Sequence, residues 1–230
     1  MPFRLLTITT KEFLKYFANF SSILLILSFH ILTWLSLIYF YKLLNIPPND
    51  LLSFFKVLPW LYLIIIPIAN VKIWAEEFKN DNIIFLLTLP TTSFELVLSK
   101  FFASTLWITI NLVLTMPLWI VANINDVADN KLILANYLAS ILAASSLVAI
   151  CLCFSAVFKN YVLVWLSSTI TSLFLLTAHL FNNNWADFSI TSHFLNLTNG
   201  IIELQNLIFL LSLTIIGLAI NLLVIDYKKL

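Results

Sequence analysis

The sequence predicts an all-α, polytopic integral membrane protein, and three observations carry that prediction. Hydrophobic residues make up 61% of the 230 residues and charged residues only 10%, against about 45–50% and about 25% in ordinary globular domains. The apolar residues gather into blocks of about 20, the length at which a helix crosses the hydrocarbon core of a bilayer. Charge is confined to the stretches between the blocks: none contains an acidic residue, and a lysine occurs only at a block's end. Mean hydropathy is correspondingly high, at +1.01.

In chain order, the first element is an amphipathic helix over residues 3–17. At 100° per residue, Arg4, Lys11 and Lys15 fall within about 40° of one another, with Leu6, Phe13 and Phe17 opposite. Such a helix rests in the headgroup layer with its lysines beside anionic lipid. Six spans follow, at 20–41, 57–75, 101–122, 132–157, 161–181 and 207–225. The first is too long for a signal peptide and has no small-residue cleavage site after it. Pro59 and Pro67 in the second span and Pro117 in the third remove backbone donors and are expected to bend those helices. Trp60, Trp119 and Trp185 are expected near one boundary and Trp74 near the other, with Trp34, Trp107 and Trp165 packed between helices.

Lysine and arginine set the orientation. With the N-terminus cytoplasmic, Arg4, Lys11, Lys15, Lys72, Lys79, Lys100, Lys159, Lys228 and Lys229 lie inside, and Lys42, Lys56 and Lys131 outside. The positive-inside rule then places both termini in the cytoplasm.

Composition also excludes functions. The only glycines are Gly200 and Gly217, so the chain has no glycine-rich loop of its own to cradle a nucleotide phosphate. With no Gly-xxx-Gly motif, its helices must meet through Ala, Ser and Thr. A net charge of +1 offers no basic surface for nucleic acid. Cys151 and Cys153 are two apart on a predicted helix, do not share a face, and read as small packing residues. Apart from the block-end Lys72, His30 and His179 are the residues within the spans that could charge near neutral pH; each reads as a neutral hydrogen-bonding group rather than a proton relay. Without an intramembrane carboxylate, transport driven by protons or sodium is not expected. No metal site is expected either, since His193 has no second His or Cys nearby to complete one. The Asn-Leu-Thr at Asn196 matches a glycosylation acceptor formally.

One stretch resists the simple layout. Between the second and third spans, Ile83, Ile84, Phe85, Leu86, Leu87 and Leu89 form an apolar run too short to span a bilayer, in a segment opened by Glu76 and Glu77. On a helix the run covers every face, so it is not an amphipathic surface segment. Three readings are open: it tucks beneath its own bundle, dips into the bilayer, or enters a groove on a soluble partner.

At this point the sequence resembles a known family. The stretch "WAEEFKNDNIIFLLTLPTTSFELVLSKFFAS", residues 74–104, is similar to the signature of ABC-2 type transporter permeases, in particular the gliding-motility and copper-enzyme-maturation type. The matching positions are Ala75, Glu76 and Glu77, then Leu86, Leu87, Thr88, Leu89 and Pro90, then Glu95, then Val97, Leu98 and Lys100. A second match, "SHFLNLTNGIIELQNLIFLLSL" over 192–213, places His193, Phe194, Gly200, Ile202 and Glu203 where the family has a His-Phe and then Gly-Val-Ile-Asp before the last span. The opening "KEFLKYFAN" and the "LPWLYLIIIP" of the second span also resemble the family, so the likeness covers nearly the whole chain. Departures are Phe78 and Lys79 in place of basic residues, Asp81, Asn82 and Ile84 in place of a Gly-Thr and a Glu, and Glu203 in place of Asp.

The resemblance implies a membrane-spanning permease subunit of a bacterial ABC exporter in the inner membrane. It implies a cytoplasmic coupling helix over about 76–89, with Glu76, Glu77, Ile83, Phe85, Leu86, Leu87, Leu89 and Pro90 engaging an ATP-hydrolysing partner. ATP and Mg would be bound by that partner, and no cofactor by this chain. A second permease copy or paralogue would complete the pathway. His193, Phe194, Gly200 and Glu203 would belong to an outer re-entrant pair of short helices capping it. Rival readings are a haem-exporter type permease of cytochrome maturation, a membrane-embedded enzyme, which would need clustered polar groups facing a common cavity, and a non-transporting assembly factor.

Overall fold

The structure, a computed structural model, describes residues 2–18, 20–44, 51–79, 91–124, 129–181, 183–201 and 203–229. Ten α-helices and one 3-10 helix account for almost all of them, and no strand occurs among the described residues. They are α1 (Pro2–Ala18), α2 (Phe20–Leu44), α3 (Leu51–Asn70), α4 (Lys72–Lys79), α5 (Ser93–Val113), α6 (Met116–Ile124), α7 (Asn130–Val157), α8 (Tyr161–Phe181), the 3-10 helix Asn183–Phe188, α9 (Ile190–Thr198) and α10 (Leu204–Lys229).

Five helices are long and apolar enough to cross a membrane: Phe54–Lys79, Ser93–Ile120, Asn130–Val157, Tyr161–Phe181 and Leu204–Lys228. A sixth span is counted only if α1 and α2, bent by 72° between Ala18 and Ser22, form one crossing. The architecture is all-helical, with several helices long and apolar enough to span a membrane, consistent with a multi-pass membrane protein. Five of the six expected spans fall on these helices, and the first falls on α2.

α7 is the centre of the bundle. It packs against α3, α4, α5, α8, α9 and α10 and is the most enclosed of the five long helices, while α8 and α10 are the least. Its buried face is built of small residues, Ala139, Ser140, Ala143, Ala144, Ser146 and Ala149 among them, which let neighbouring backbones approach closely. α10 uses that access: a Cβ built on Gly217 would stand 3.0 Å from the Ala149 Cβ. Several hydroxyls within these helices fold back on their own backbone, as Ser140 does to Asn136 O (2.7 Å), Ser146 to Ala143 O (2.8 Å) and Ser168 to Val164 O (2.7 Å). Serine is thereby made compatible with an apolar interior.

Helix starts follow local chemistry. Thr92 opens α5 with a capping box: its hydroxyl accepts from Glu95 N at 3.2 Å, and the Glu95 carboxylate accepts from Thr92 N at 3.1 Å. Asp129 caps α7 by accepting from Lys131 N and Leu132 N. The third span breaks at Leu114–Thr115, and Pro117 sits in the first turn of α6, where its missing donor has no partner to lose. Pro59 and Pro67 lie inside α3, which continues to Asn70 and breaks only at Val71.

Several expectations are corrected here. Trp34 and Trp165 do not pack between helices: they are 51% and 41% exposed, whereas Trp107 is buried. Trp74, expected at an interface, is completely buried. Glu95 lies in the first turn of α5, which runs unbroken from Ser93 into the third span. The face of α1 that enters the bundle is Thr9, Glu12 and Tyr16, packed on α5. Leu6, Leu14 and Phe17 are exposed instead, so the helix has three faces: bundle, apolar and basic.

Candidate functional site

The site assembles at the end of the bundle where α4 leaves α3. α4 carries Glu76 and Glu77, and their fates differ. Glu76 is exposed, whereas Glu77 is buried beneath α1 and α5. Consecutive helical residues sit 100° apart, and Glu76 falls on the outer side of α4 between the buried pairs Trp74–Ala75 and Glu77–Phe78.

Glu77 Oε1 accepts a hydrogen bond from Lys100 Nζ at 2.7 Å. Lys100, on the second turn of α5, is only 2% exposed; it also donates to Ile73 O at 3.2 Å and sits 4.7 Å above the Trp74 ring. Glu12 of α1 stands 3.5 Å from the same ammonium, and Lys15, half exposed, bridges Glu12 at 2.8 Å and Glu77 at 3.8 Å. Two carboxylates and two ammonium groups thus alternate across α1, α4 and α5. Burial pushes the Glu12 carboxyl up, but the pull of Lys100 and Lys15 outweighs it, and the pKa lies below the ordinary glutamate value.

Below this charged layer a neutral network continues inward. Tyr16 donates to Asn70 Oδ1 at 2.7 Å, shares a hydrogen bond with Ser104 at 2.8 Å, and stacks on Trp107 at 5.4 Å between centroids. Asn70 in turn donates to Ile66 O at 2.8 Å. The α1–α5 contact is therefore specified by polar groups at both levels, not by apolar burial alone.

Of the expected coupling residues, Glu76 and Glu77 occupy α4, which continues the second span, so the helix expected over 76–89 does not begin at Glu76. Ile83, Phe85, Leu86, Leu87, Leu89 and Pro90 lie outside the described residues. Glu12, Lys15, Tyr16, Asn70 and Ser104 were not singled out from sequence as a site. Glu12 is the sole acid in α1 and shares a face with Thr9 and Tyr16, but nothing in that pattern says that this face enters the bundle or names its partners.

The second group of expected residues meets at the opposite end. His193 is buried in α9, stacked on Phe209 of α10 at 4.3 Å. Its Nδ1 lies 2.7 Å from Asn206 Oδ1 and its Nε2 lies 2.9 Å from Asp187 O. The ring thereby ties α9 to both the 3-10 helix and α10. Phe194 is fully buried beside it. Gly200 has φ +84° and ends α9 in a Schellman motif: Ile201 N donates to Asn196 O (2.9 Å) and Gly200 N to Leu197 O (3.1 Å). Glu203 is exposed ahead of α10. His179 reaches Ser189 Oγ at 3.0 Å and Leu176 O at 3.1 Å, and His30 reaches Ile26 O at 2.8 Å. Among the described residues, no three His, Cys, Asp or Glu side chains come together as a metal site.

No protein-family model matches the chain, and comparison with curated proteins finds no match.

Proposed function

We propose that this chain is the membrane-spanning permease subunit of an ABC-2 type exporter in the bacterial inner membrane, worked by a separate ATP-hydrolysing subunit that binds ATP and Mg. In this reading α2 is the first of six spans and both termini are cytoplasmic. α1 lies at the headgroup layer with its basic face toward lipid, and segment 80–90 is the handle gripped by the ATPase. A second copy or a paralogue completes the pathway, and the chain is not itself an enzyme.

The observation that carries the reading is the meeting of Glu77 and Lys100 at 2.7 Å. Both belong to the 74–104 stretch that resembles the permease signature, one on each side of the apolar run. Their pairing holds α4 to α5, the described helices on either side of residues 80–90. Charges buried at the end of an apolar helix are costly, and are kept where they hold or move something. Here the pair ties α4 and α5 to α1 as well, through Glu12 and Lys15.

The test is co-purification from native membranes. Leu86→Asp with Leu89→Asp is expected to abolish recovery of an ATP-binding subunit with the permease, while the thermal stability of the bundle stays unchanged. Recovery of the same ATPase complex with the double variant overturns the coupling reading.

A further inference from the structure

α4 is gripped from a second side, away from the ionic cluster. A helix leaves its first four N–H groups without intrahelical partners, and α4, starting at Lys72, begins within the packed bundle. Ser155 of α7 supplies the missing acceptor: its Oγ accepts from Trp74 N at 3.1 Å and Ala75 N at 3.3 Å, and donates to Val71 O at 3.3 Å. One side chain thus caps α4 from outside and bridges the break that separates it from α3. Trp74 and Ala75 are fully buried, so removing the Ser155 hydroxyl from the packed bundle leaves their N–H groups without that acceptor.

The next turn repeats the arrangement with a cation. Lys228, near the end of α10, donates to Ala156 O at 2.5 Å and Val157 O at 3.3 Å, capping the C-terminus of α7 where the helix dipole favours positive charge. The same ammonium sits 3.8 Å over the ring of Phe78, within cation–π range. Ser155, Ala156 and Val157 are therefore a knot. The side chain of the first caps α4, and the carbonyls of the other two hold α10's lysine against α4.

We propose that Ser155 and Lys228 are positioning residues that join α4 rigidly to the α7–α10 pair, so that any displacement of segment 80–90 is passed to the centre of the bundle and not only to the two spans flanking that segment. The source of the displacement rests on the permease reading; the joint itself does not. Lys100 and Lys15 tie α4 to α5 and α1 through long lysine side chains, whereas Ser155 meets the backbone N–H groups of Trp74 and Ala75 through a short one.

The experiment uses the full chain in lipid nanodiscs, with Cys151 and Cys153 replaced by alanine and spin labels at positions 76 and 227, both exposed. Pulsed EPR is expected to give one narrow 76–227 distance. Ser155→Ala with Lys228→Met is expected to broaden that distribution about twofold as the buried donors and the ring lose their partner. The control pair, labels at 76 and 94 spanning α4 and α5, is expected to keep its width. Lys228→Met alone, which leaves Ser155 in place, is expected to broaden the 76–227 distance less, and Lys228→Arg to restore the narrow one. A broad distance in the parent, or an unchanged distribution in both methionine variants, overturns the joint. Because no ATPase is present, failure here is separable from failure of the co-purification test.

Discussion

Lys100 shows what a single buried charge does in an apolar bundle. It is 2% exposed with carboxylates at 2.7 and 3.5 Å, so its removal leaves Glu77 and Glu12 facing each other without it. Lys100→Met is expected to destabilise the protein by about 3–5 kcal/mol, measured as thermal unfolding in detergent. Lys15→Met, removing a half-exposed partner of the same acids, is expected to cost about 1 kcal/mol or less. Equal effects would mean that Lys100 is not the keystone. Glu12 adds a pH dependence of definite sign. Its folded pKa is depressed, so its contribution is complete above the ordinary glutamate value of about 4.3. It is lost as pH falls from there through the lower folded value. Glu12→Gln is expected to flatten that part of the acid-stability curve, and an unchanged curve would refute the assignment. None of this pairing was legible in the sequence. Glu12 and Lys100 are 88 residues apart, and no local pattern says which surface lysine becomes a buried one.

Helices, as elements, were far more legible. Apolar blocks separated by charge mark where long helices must be, because in lipid each segment has to satisfy its own backbone hydrogen bonds. What escaped is how helices break and which face turns inward. Pro67 falls near the end of α3, but the break comes at Val71, where Ser155 from a distant helix donates to the carbonyl. α1 shows an apolar and a basic face to any periodicity test, whereas its bundle face is polar and recognisable only once Lys100, Asn70 and Ser104 stand opposite. Two glycines report on elements directly. Gly217→Val is expected to push α10 off α7, where a Cβ already meets backbone at 3.1 Å, and to destabilise by about 1–3 kcal/mol. Gly200→Ala forces a side chain into left-handed backbone and is expected to destabilise by about 1–2 kcal/mol. Its effect should stay local, seen as faster amide exchange at the C-terminal end of α9, and a global loss of structure would contradict it.

For the whole molecule, the two ends of the bundle carry different machinery. One end holds the charged lock and the α4 joint; the other holds the short helices pinned by His193 and the Gly200 turn. With α4 cytoplasmic, as proposed, a cysteine at position 76 is expected to react only with reagents reaching the inner side, and one at 185 only with impermeant reagents added outside. Labelling of both from one side would overturn the six-span layout, and labelling with sides exchanged its orientation.

By itself, the sequence determined that the chain is helical and apolar enough to cross a membrane several times, and that its helices meet through small residues. Those are properties of composition and period, which act locally. The tertiary structure alone decided that Glu77 and not Glu76 is buried, that Lys100 joins three helices, and that Ser155 and Lys228 bind α4 to the core. Long-range polar pairing depends on which helix faces become neighbours, and that is settled only when the bundle closes.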